Sequence, residues 1–312
     1  MEHVADTIIE VKHISKHFSE VKAVDDISFS VQKGELFGFL GVNGAGKSTT
    51  INMLCTLFAP TAGGANICGY TLGKENDKIR KSIGVVYQNN CLDGELTVKE
   101  NLLVRGSLYE NNYKKLKDNL LRVSSFLSLD EILNRPFAKL SGGQKRRCEI
   151  ARALMHEPEI LFLDEPTTGL DPATRKNVWK IIEKLRSEKN MTVFLTTHYM
   201  EEAAKANHIA IIDEGKIKQY GTPFSLKEQF VKDHLRLFTK QKEELEKELH
   251  KNNQHYVVKE EWIDIFLSNT MDSLPIINKV RPLIDGFEVI QGSMDDVFLN
   301  VTGKNHTNRE EK

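Results

Sequence analysis

The sequence lacks both a net charge and a long apolar run. Its 43 Lys and Arg residues balance 44 Asp and Glu residues, which leaves a net charge of −1 at pH 7. This balance offers no general attraction for nucleic acid or for an acidic membrane surface, so we expect no nucleic-acid partner. The longest segment without charged residues, 48–73, contains four glycines and one proline, and it is too polar for a transmembrane helix.

The sequence also lacks the features of a signal peptide at its N-terminus and any closely spaced pair of cysteines. The N-terminus has neither the basic nor the apolar segment of a signal peptide, and we therefore expect the chain to stay in the cytoplasm. The chain has four cysteines, none with the Cys-x-x-Cys spacing of a redox or zinc motif. We therefore expect reduced cysteines that mostly pack in the interior, and no disulfide framework. The cysteines are Cys55, Cys68, Cys91 and Cys148.

Short apolar runs, glycine-rich turns and helical segments follow one another over the first 222 residues. Two pairs in the helical region between 97 and 157, Thr97 with Glu100 and Ser128 with Glu131, have the spacing of capping boxes. Further helices are predicted at 50–58 and 177–187. An order of strand, helix and strand with fully apolar strands indicates an α/β fold with a covered parallel sheet. Strands are predicted at 8–11, 27–31, 36–40, 83–86, 160–163, 192–196 and 209–212.

The composition changes near Gly221, and a second, smaller domain is predicted beyond it. Half of the residues in 226–251 are charged. Their spacing is typical of a solvated helical face with Leu245 and Leu249 turned inward. Two β-rich runs and a further capping box, formed by Ser293 and Asp296, follow. The β-rich runs are 256–258 and 287–290, and the capping box precedes 297–301.

These features predict the domain organisation of the chain. We expect one domain over residues 1–224, with a helical subdomain at about 97–157. A small α+β domain follows over 225–302, and a polar tail over 303–312. No feature of the second domain or of the tail suggests catalysis.

A phosphate-binding loop is predicted after the strand at 36–40. The pattern Gly-x-x-x-x-Gly-Lys-Ser/Thr lies between this strand and a helix, which is the context that makes it specific. Glycine lets backbone amides converge on phosphate oxygens, and the helix N-terminus adds positive charge. Lys47 would contact the β- and γ-phosphates, and the Ser48 hydroxyl would bind Mg²⁺. The residues predicted to bind the nucleotide here are Gly41, Asn43, Gly44, Ala45, Gly46, Lys47, Ser48 and Thr49.

Two further segments favour phosphate chemistry. A helix start at Ser141, Gly142, Gly143 and Gln144 combines capping-box spacing with open amides, although paired glycines at a helix start are commonly only a turn. The apolar strand at 160–163 ends in Asp164 and Glu165, and a buried strand delivers such carboxylates to the edge of the sheet where ligands bind. There Asp164 could hold Mg²⁺ while Glu165 orients or deprotonates water.

In this order, the phosphate loop, 140–144 and 160–165 resemble the Walker A, signature and Walker B motifs of ATP-binding cassette (ABC) ATPases. The resemblance covers about residues 7–222. It implies a P-loop NTPase fold of the ABC type, with a RecA-like core, an N-terminal β subdomain and a helical subdomain. Gln88 resembles the Q-loop glutamine, Asp171 the aspartate of the D-loop, and His198 the switch histidine.

The resemblance also implies the cofactors and the assembly. ATP on one subunit's Walker A would be covered by the signature of another, in a head-to-tail dimer with two nucleotides at the interface. Mg²⁺ would be held by Ser48, Gln88 and Asp164, Glu165 would position the attacking water, and His198 would contact the γ-phosphate.

Three further features lie near these motifs, and only the second is a departure from the family pattern. Phe18 lies where the family places an aromatic residue on adenine, and Phe is equally a core residue. Val42 and Ser48 stand where Pro and Thr are common in the family, and neither disturbs the physical roles. The basic residues at 145–147 are expected on the helix surface, where they could add positive charge near the opposing γ-phosphate.

The resemblance favours a transporter subunit over two alternatives. The segments 88–102 and 295–303 resemble ATPases of multidrug, antibiotic or lipid exporters that pair with a separate integral-membrane permease. The chain would then lie on the inner face of the membrane. Soluble ABC proteins that act on ribosomes or DNA carry a long coiled coil or two cassettes, neither of which is present. A nucleotide-gated protein without turnover is disfavoured by Glu165 and His198, and transporters of another substrate class remain an alternative.

Overall fold

The computed structural model describes residues 6–303, which form two compact units that divide between Gly221 and Thr222. The strands of these residues are β1 (Thr7–Phe18), β2 (Val21–Gln32), β3 (Leu36–Leu40), β4 (Ala62–Ile67), β5 (Tyr70–Thr71), β6 (Ile83–Val86), β7 (Ile160–Asp164), β8 (Thr192–Thr197), β9 (His208–Asp213), β10 (Lys216–Gly221), β11 (Asp233–Phe238), β12 (Tyr256–Val258), β13 (Trp262–Leu267) and β14 (Gly286–Ile290).

The helices of the same residues are α1 (Lys47–Leu54), α2 (Asn76–Ser82), α3 (Val98–Gly106), α4 (Tyr113–Phe126), α5 (Gly142–Leu154), α6 (Pro172–Lys189), α7 (Met200–Ala203), α8 (Pro223–Phe230), α9 (Lys242–Lys251), α10 (Ser273–Val280) and α11 (Met294–Thr302). Within residues 6–303, no helix is both long enough and apolar enough to span a bilayer.

A six-stranded sheet in the order β10-β9-β3-β8-β7-β6 forms the centre of the first unit. The last five strands of this order are parallel, and β10 pairs antiparallel with β9. All residues of β3, β7 and β8 are buried, because their apolar side chains face covered surfaces on both sides of the sheet. The predicted covered parallel sheet is confirmed. Its largest buried side chains are Phe37, Phe39, Phe162 and Phe194.

A second, antiparallel sheet of the first unit has the order β2-β1-β4-β5. The long hairpin of β1 and β2 turns at Ser19 and Glu20, with Phe18 opposite Val21. Side chains on one face of this hairpin join the core that also contains β3 and α1. The predicted strands at 8–11 and 27–31 are confirmed as parts of longer strands.

One of the two predicted helix starts in the helical region is confirmed. Thr97 and Glu100 form a reciprocal capping box at the start of α3. The prediction for Ser128 is wrong, because its backbone is left-handed with φ of 52°, whereas an N-cap residue is extended. A 3₁₀ turn at Asp130–Ile132 follows instead, and Asp130 accepts a hydrogen bond from the Ser124 hydroxyl at 2.9 Å.

Two further helices differ from their predicted limits. Helix α1 begins three residues before the predicted start, because Gly46 takes a left-handed conformation and Lys47 can open the helix directly. It ends at Leu54, before Thr56 with φ of 64°. Helix α6 begins earlier than predicted, since Asp171 caps it and a proline occupies its first position.

The second unit contains a four-stranded sheet in the order β12-β13-β11-β14 and the helices α8–α11. The continuous helical face predicted over 226–251 is wrong in part, since β11 interrupts it with Leu235 and Leu237 buried. Leu245 and Leu249 are buried as predicted, and the capping box at Ser293 is confirmed. Of the predicted polar tail, all residues after Gly303 lie outside the described residues.

Candidate functional site

Four neighbouring parallel strands deliver the phosphate loop and the predicted catalytic residues to one edge of the central sheet. In the order β3-β8-β7-β6, these strands lead to the phosphate loop, His198, the acidic pair and Gln88. The carboxyl ends of parallel strands meet at the same edge, which is where open α/β sheets bind ligands. The phosphate loop, Gln88, Glu165 and His198 therefore converge on a single site, although up to about 150 residues of sequence separate them.

The phosphate loop surrounds a cavity of about 260 Å³. A Cβ atom on Gly46 would lie 2.5 Å from the Ala23 carbonyl oxygen, so only glycine fits this close approach. The Lys47 ammonium donates to the carbonyl oxygens of Gly41 at 2.8 Å and Val42 at 3.1 Å, which holds it inside the loop. The cavity is lined by Ala23, Asn43, Gly44, Gly46, Lys47, Ser48, Thr49, Gln88 and Glu165.

Glu165 is the centre of the polar contacts in this cavity. Its carboxylate lies 3.4 Å from the Lys47 ammonium, and it accepts hydrogen bonds from the Gln88 amide at 3.4 Å and the Thr168 hydroxyl at 3.2 Å. Its backbone is left-handed with φ of 45°, and its amide donates to the Thr196 hydroxyl at 3.1 Å. A non-glycine residue in this conformation is typical of strained functional positions.

The charges around Glu165 favour its ionised form. Burial by itself raises the pKa of this carboxyl group, but the positive charge of Lys47 and the neighbouring His198 outweigh burial. The pKa of Glu165 consequently lies below its ordinary value of 4.5. A carboxylate with this pKa is ionised at neutral pH and can accept a hydrogen bond from water.

His198 lies beside the same carboxylate. Its Nδ1 atom is 3.3 Å from Glu165 Oε2, but the angles are not those of a hydrogen bond, and this buried nitrogen has no hydrogen-bond partner within the described residues. The ring packs against Tyr199 with 4.1 Å between centroids. The imidazole is thus held in place and keeps a free polar atom near the cavity.

Two side-chain oxygen atoms that could coordinate a hard cation, from Ser48 and Asp164, lie close together beside the cavity. Ser48 Oγ is 3.5 Å from Asp164 Oδ1, which also accepts a hydrogen bond from the Thr196 hydroxyl at 2.6 Å. Within residues 6–303, no three His, Cys, Asp or Glu side chains are close enough together to hold a metal by themselves. Mg²⁺ does not need such a cage, because it takes one or two protein oxygens together with phosphate oxygens and water.

Three signature residues, Ser141, Gly143 and Gln144, line part of a second cavity, of about 570 Å³, which shares no lining residue with the first. Ser141 and Gln144 form a reciprocal capping box at the start of α5, as predicted. Asp171 caps α6 next to this cavity, and hydrogen bonds from Thr174 lower its pKa. Within one chain, the structure therefore separates Ser141, Gly142, Gly143, Gln144 and Asp171 from the phosphate loop.

Phe18 does not line the phosphate-loop cavity. It ends β1 with 44% of its surface exposed. Its ring meets Phe58 edge to face at 5.7 Å, and the Lys16 ammonium lies 5.1 Å above it. The structure gives an exposed aromatic surface at this position rather than a core residue.

Two residues of the site were missed from the sequence. Thr196 connects Asp164 with the Glu165 amide, and its place in the buried strand before His198 was the available signal. Arg146 was expected on the helix surface together with Lys145 and Arg147, and this prediction is wrong because its side chain is 5% exposed. The partners of Arg146 are backbone carbonyl groups, which every residue has, so no pattern of side chains in the sequence indicates them.

The comparisons with known proteins identify relatives of the chain. A family model described as ABC transporter matches residues 24–168. The chain is 41% identical over 228 residues to the probable multidrug ABC transporter ATP-binding protein YbhF of Escherichia coli, across 73% of this chain and 39% of YbhF. It is 35% identical over 300 residues to the Nod factor export ATP-binding protein I of Rhizobium sp. (strain N33), across 95% and 97% of the two chains.

A solved structure of an ATP-binding cassette is also similar to the chain. The cassette MJ0796, in a dimeric post-hydrolysis state bound to ADP and Pi, is 27% identical and superposes with a TM-score of 0.62. The superposition covers 69% of this chain and 98% of MJ0796. The predicted P-loop NTPase fold of the ABC type is confirmed. The chain belongs to the family of ABC transporter ATP-binding proteins, which are nucleotide-binding ATPases.

Proposed function

We propose that this chain hydrolyses ATP and thereby powers export of a drug, antibiotic or lipid-like compound through a separate membrane permease. The observation that carries the ATPase part is the convergence of Lys47, Gln88 and His198 on Glu165, all within 3.3–3.4 Å, at the phosphate loop. The names of the multidrug and Nod factor relatives support the export part.

Phosphate binding uses the loop and the first turn of α1. Residues of the loop and of the first turn of α1 line the cavity, and the backbone amides of such a loop and helix N-terminus favour negative charge. Lys47 already lies there with its ammonium held by two carbonyls, so its positive charge is in position for the β- and γ-phosphates. The nucleotide-binding residues proposed here are Gly41, Asn43, Gly44, Ala45, Gly46, Lys47, Ser48 and Thr49.

Ser48, Asp164 and Gln88 would hold Mg²⁺, since their oxygen atoms are the ligands that this cation prefers. When bound, Mg²⁺ supplies positive charge that offsets the charge of the phosphate groups. Thr196 fixes the Asp164 carboxylate from the adjacent strand, so the side chain is already oriented.

Glu165 would orient the attacking water and accept its proton. Its lowered pKa keeps it ionised, and Gln88 and Thr168 fix the direction of its carboxylate. His198 would contact the γ-phosphate through the nitrogen that has no hydrogen-bond partner within the described residues.

A head-to-tail dimer would complete the site. The separation of the two cavities within one chain supports this arrangement, because Ser141, Gly142, Gly143 and Gln144 can then contact ATP held by a partner's phosphate loop. Asp171 would lie near the same interface. The similar cassette MJ0796 is dimeric in a state with ADP and Pi. Phe18, exposed beside Lys16, would stack on adenine.

The permease would bind next to the Q-loop, which we assign to the segment after β6. A groove of about 200 Å³ lies there, lined by Tyr87, Arg105, Tyr109 and His156 among others. Leu108, which also lines this groove, is 71% exposed, so the surface can bury apolar side chains of a membrane partner. This would place the chain on the inner face of the membrane. We assign residues 1–224 to the ATP-binding domain and 225–302 to an accessory domain.

Affinity purification from native cells tests this function. The tagged full-length chain is purified from detergent-solubilised membranes with and without ATP, and its partners are identified by mass spectrometry. We expect a polytopic integral membrane protein. Recovery of ribosomes or DNA-bound complexes instead would refute the transporter assignment.

A further inference from the structure

Arg146 on α5 holds a buried positive charge that the phosphate chemistry does not use. Its guanidinium donates to three backbone carbonyl oxygens, those of Tyr87 at 2.6 Å, Pro166 at 2.7 Å and Asp164 at 3.5 Å. Within the described chain it forms no direct ion pair with a carboxylate. Burial lowers the pKa of Arg146 to about 10, which Glu149 and Asp164 partly offset, and the side chain remains charged at neutral pH. A buried cation of this kind is costly for stability alone.

The three carbonyl groups share a position next to the proposed catalytic residues. Tyr87 precedes Gln88, while Asp164 and Pro166 flank Glu165. The planar guanidinium fork has fixed spacing between its donors, so it fixes these backbone segments relative to one another. Because Glu165 has a left-handed backbone, bonds to the carbonyls on both sides help to hold that conformation.

The rest of α5 connects the signature to the segment after β6. Ser141 caps the start of the helix. One and two turns beyond Arg146, Glu149 accepts from the amides of Cys91 at 2.5 Å and Leu92 at 3.0 Å, and Arg152 donates to the Val85 carbonyl at 2.7 Å. One face of the helix therefore contacts the end of β6 and the segment after it, so a displacement of α5 would be transmitted to residues 85–92.

We propose that Arg146 is a positioning residue that couples the two nucleotide sites of the dimer. This inference rests on the proposed function, because it requires the head-to-tail dimer. When Ser141 and Gly143 close on ATP held by the partner, a shift of α5 passes through Arg146 to the backbone around Glu165 of the same chain. ATP at one site thereby orients the carboxylate that acts at the other.

Hydrogen–deuterium exchange on mixed dimers tests this coupling. Full-length Lys47→Met chain, which cannot hold ATP, is mixed with full-length Glu165→Gln chain and Mg-ATP. Peptides spanning position 165 differ in mass between the two chains, so each chain is followed separately. We expect ATP on the Glu165→Gln chain to slow exchange at 164–168 of the Lys47→Met chain by at least about threefold.

Adding Arg146→Met to the Lys47→Met chain should abolish this slowing, whereas adding it to the Glu165→Gln chain should not. A purely structural role would speed exchange at 164–168 of the substituted chain equally with and without ATP, because Arg146 bonds the Asp164 and Pro166 carbonyls directly, and it would leave the ATP-dependent slowing in place. Arg146→Lys keeps the positive charge but lacks the planar guanidinium, so we expect it to abolish the slowing as well. This variant tests the coupling if Arg146→Met does not fold. Arg122→Met, at an exposed arginine, is the matched control.

Two results would overturn the coupling. The first is that exchange at 164–168 is still slowed by ATP when the Lys47→Met chain also carries Arg146→Met or Arg146→Lys. The second is that ATP does not slow this exchange in dimers that carry Arg146 in both chains. Light scattering reports separately whether ATP produces dimers. If it does not, the proposed dimer is wrong as well, which separates failure of the proposed function from failure of the coupling alone.

Discussion

The phosphate-loop cavity and the signature cavity differ in the charge that they present. The phosphate-loop cavity contains Lys47 together with the carboxylate of Glu165, whereas the lining of the signature cavity contains cations and no carboxylate. The cations of the second cavity are Arg147, Lys180 and Lys184. A carboxylate can accept a proton from water, and a cationic surface beside a helix N-terminus can only attract an anion. We therefore propose that bond cleavage takes place at the first cavity and that the second receives a phosphate.

Replacing the Glu165 carboxylate should have the largest effect on the division of roles between the two cavities. We expect Glu165→Gln to lower ATP hydrolysis about 10²- to 10⁴-fold, the usual contribution of a general base, while ATP still binds. Phosphate release measures turnover, and a fluorescent ATP analogue measures binding. Glu157→Gln, at an exposed glutamate, is the control. Near-normal turnover in Glu165→Gln would show that another group accepts the proton.

Ser141→Ala tests whether the second cavity binds the phosphates of ATP held by a partner chain. We expect hydrolysis to fall about 10- to 100-fold, since a hydrogen bond to a charged group contributes roughly 1.5–3 kcal/mol, while ATP binding to the single chain is unchanged. Both properties are measured on the same preparation.

Ser293→Ala is the matched control for this change. Ser293 caps α11 with the same reciprocal geometry, so both substitutions should cost about 1 kcal/mol of helix stability, and only Ser141→Ala should slow hydrolysis. Equal turnover in the two variants would mean that Ser141 acts only as a helix cap.

Phe18→Ala tests whether the first cavity extends to the adenine base. Base stacking on an aromatic ring contributes roughly 1–3 kcal/mol, so we expect about tenfold weaker ATP binding. Affinity for inorganic tripolyphosphate, which has no base, should not change. Calorimetry with both ligands distinguishes the outcomes, and a parallel loss for tripolyphosphate would assign Phe18 to the packing of Phe58 and Lys16.

The pH dependence should show the smallest effect. Because the pKa of Glu165 lies below 4.5, the ionised form persists as pH falls from 7 to about 5 and is lost only at lower pH. We expect kcat/KM to show no loss assignable to Glu165 over that range. A loss with a midpoint above pH 5 that disappears in Glu165→Gln would contradict the charge arrangement at this carboxylate.

Buried strands could be predicted from the sequence far better than buried charges. The limits of β3 and β6 match their predictions, because an uninterrupted apolar run has few alternatives in a covered sheet. Arg146 was missed because its partners are backbone carbonyls up to 59 residues away, which have no side-chain signature. Strand β11 was missed because Arg236 looks like part of a solvated helix, whereas in the fold it pairs across the sheet with Asp264 at 2.9 Å.

The absence of any lining residue common to the two cavities has a genetic consequence. In the proposed dimer, a chain that carries Glu165→Gln would keep an intact signature, so it would still assemble with a wild-type chain and cover that chain's ATP. We expect its own ATP to stay bound in this mixed dimer and to keep the two chains from separating for another round of hydrolysis. An allele of this kind should therefore be dominant over the wild type, whereas an allele that prevents folding should be recessive.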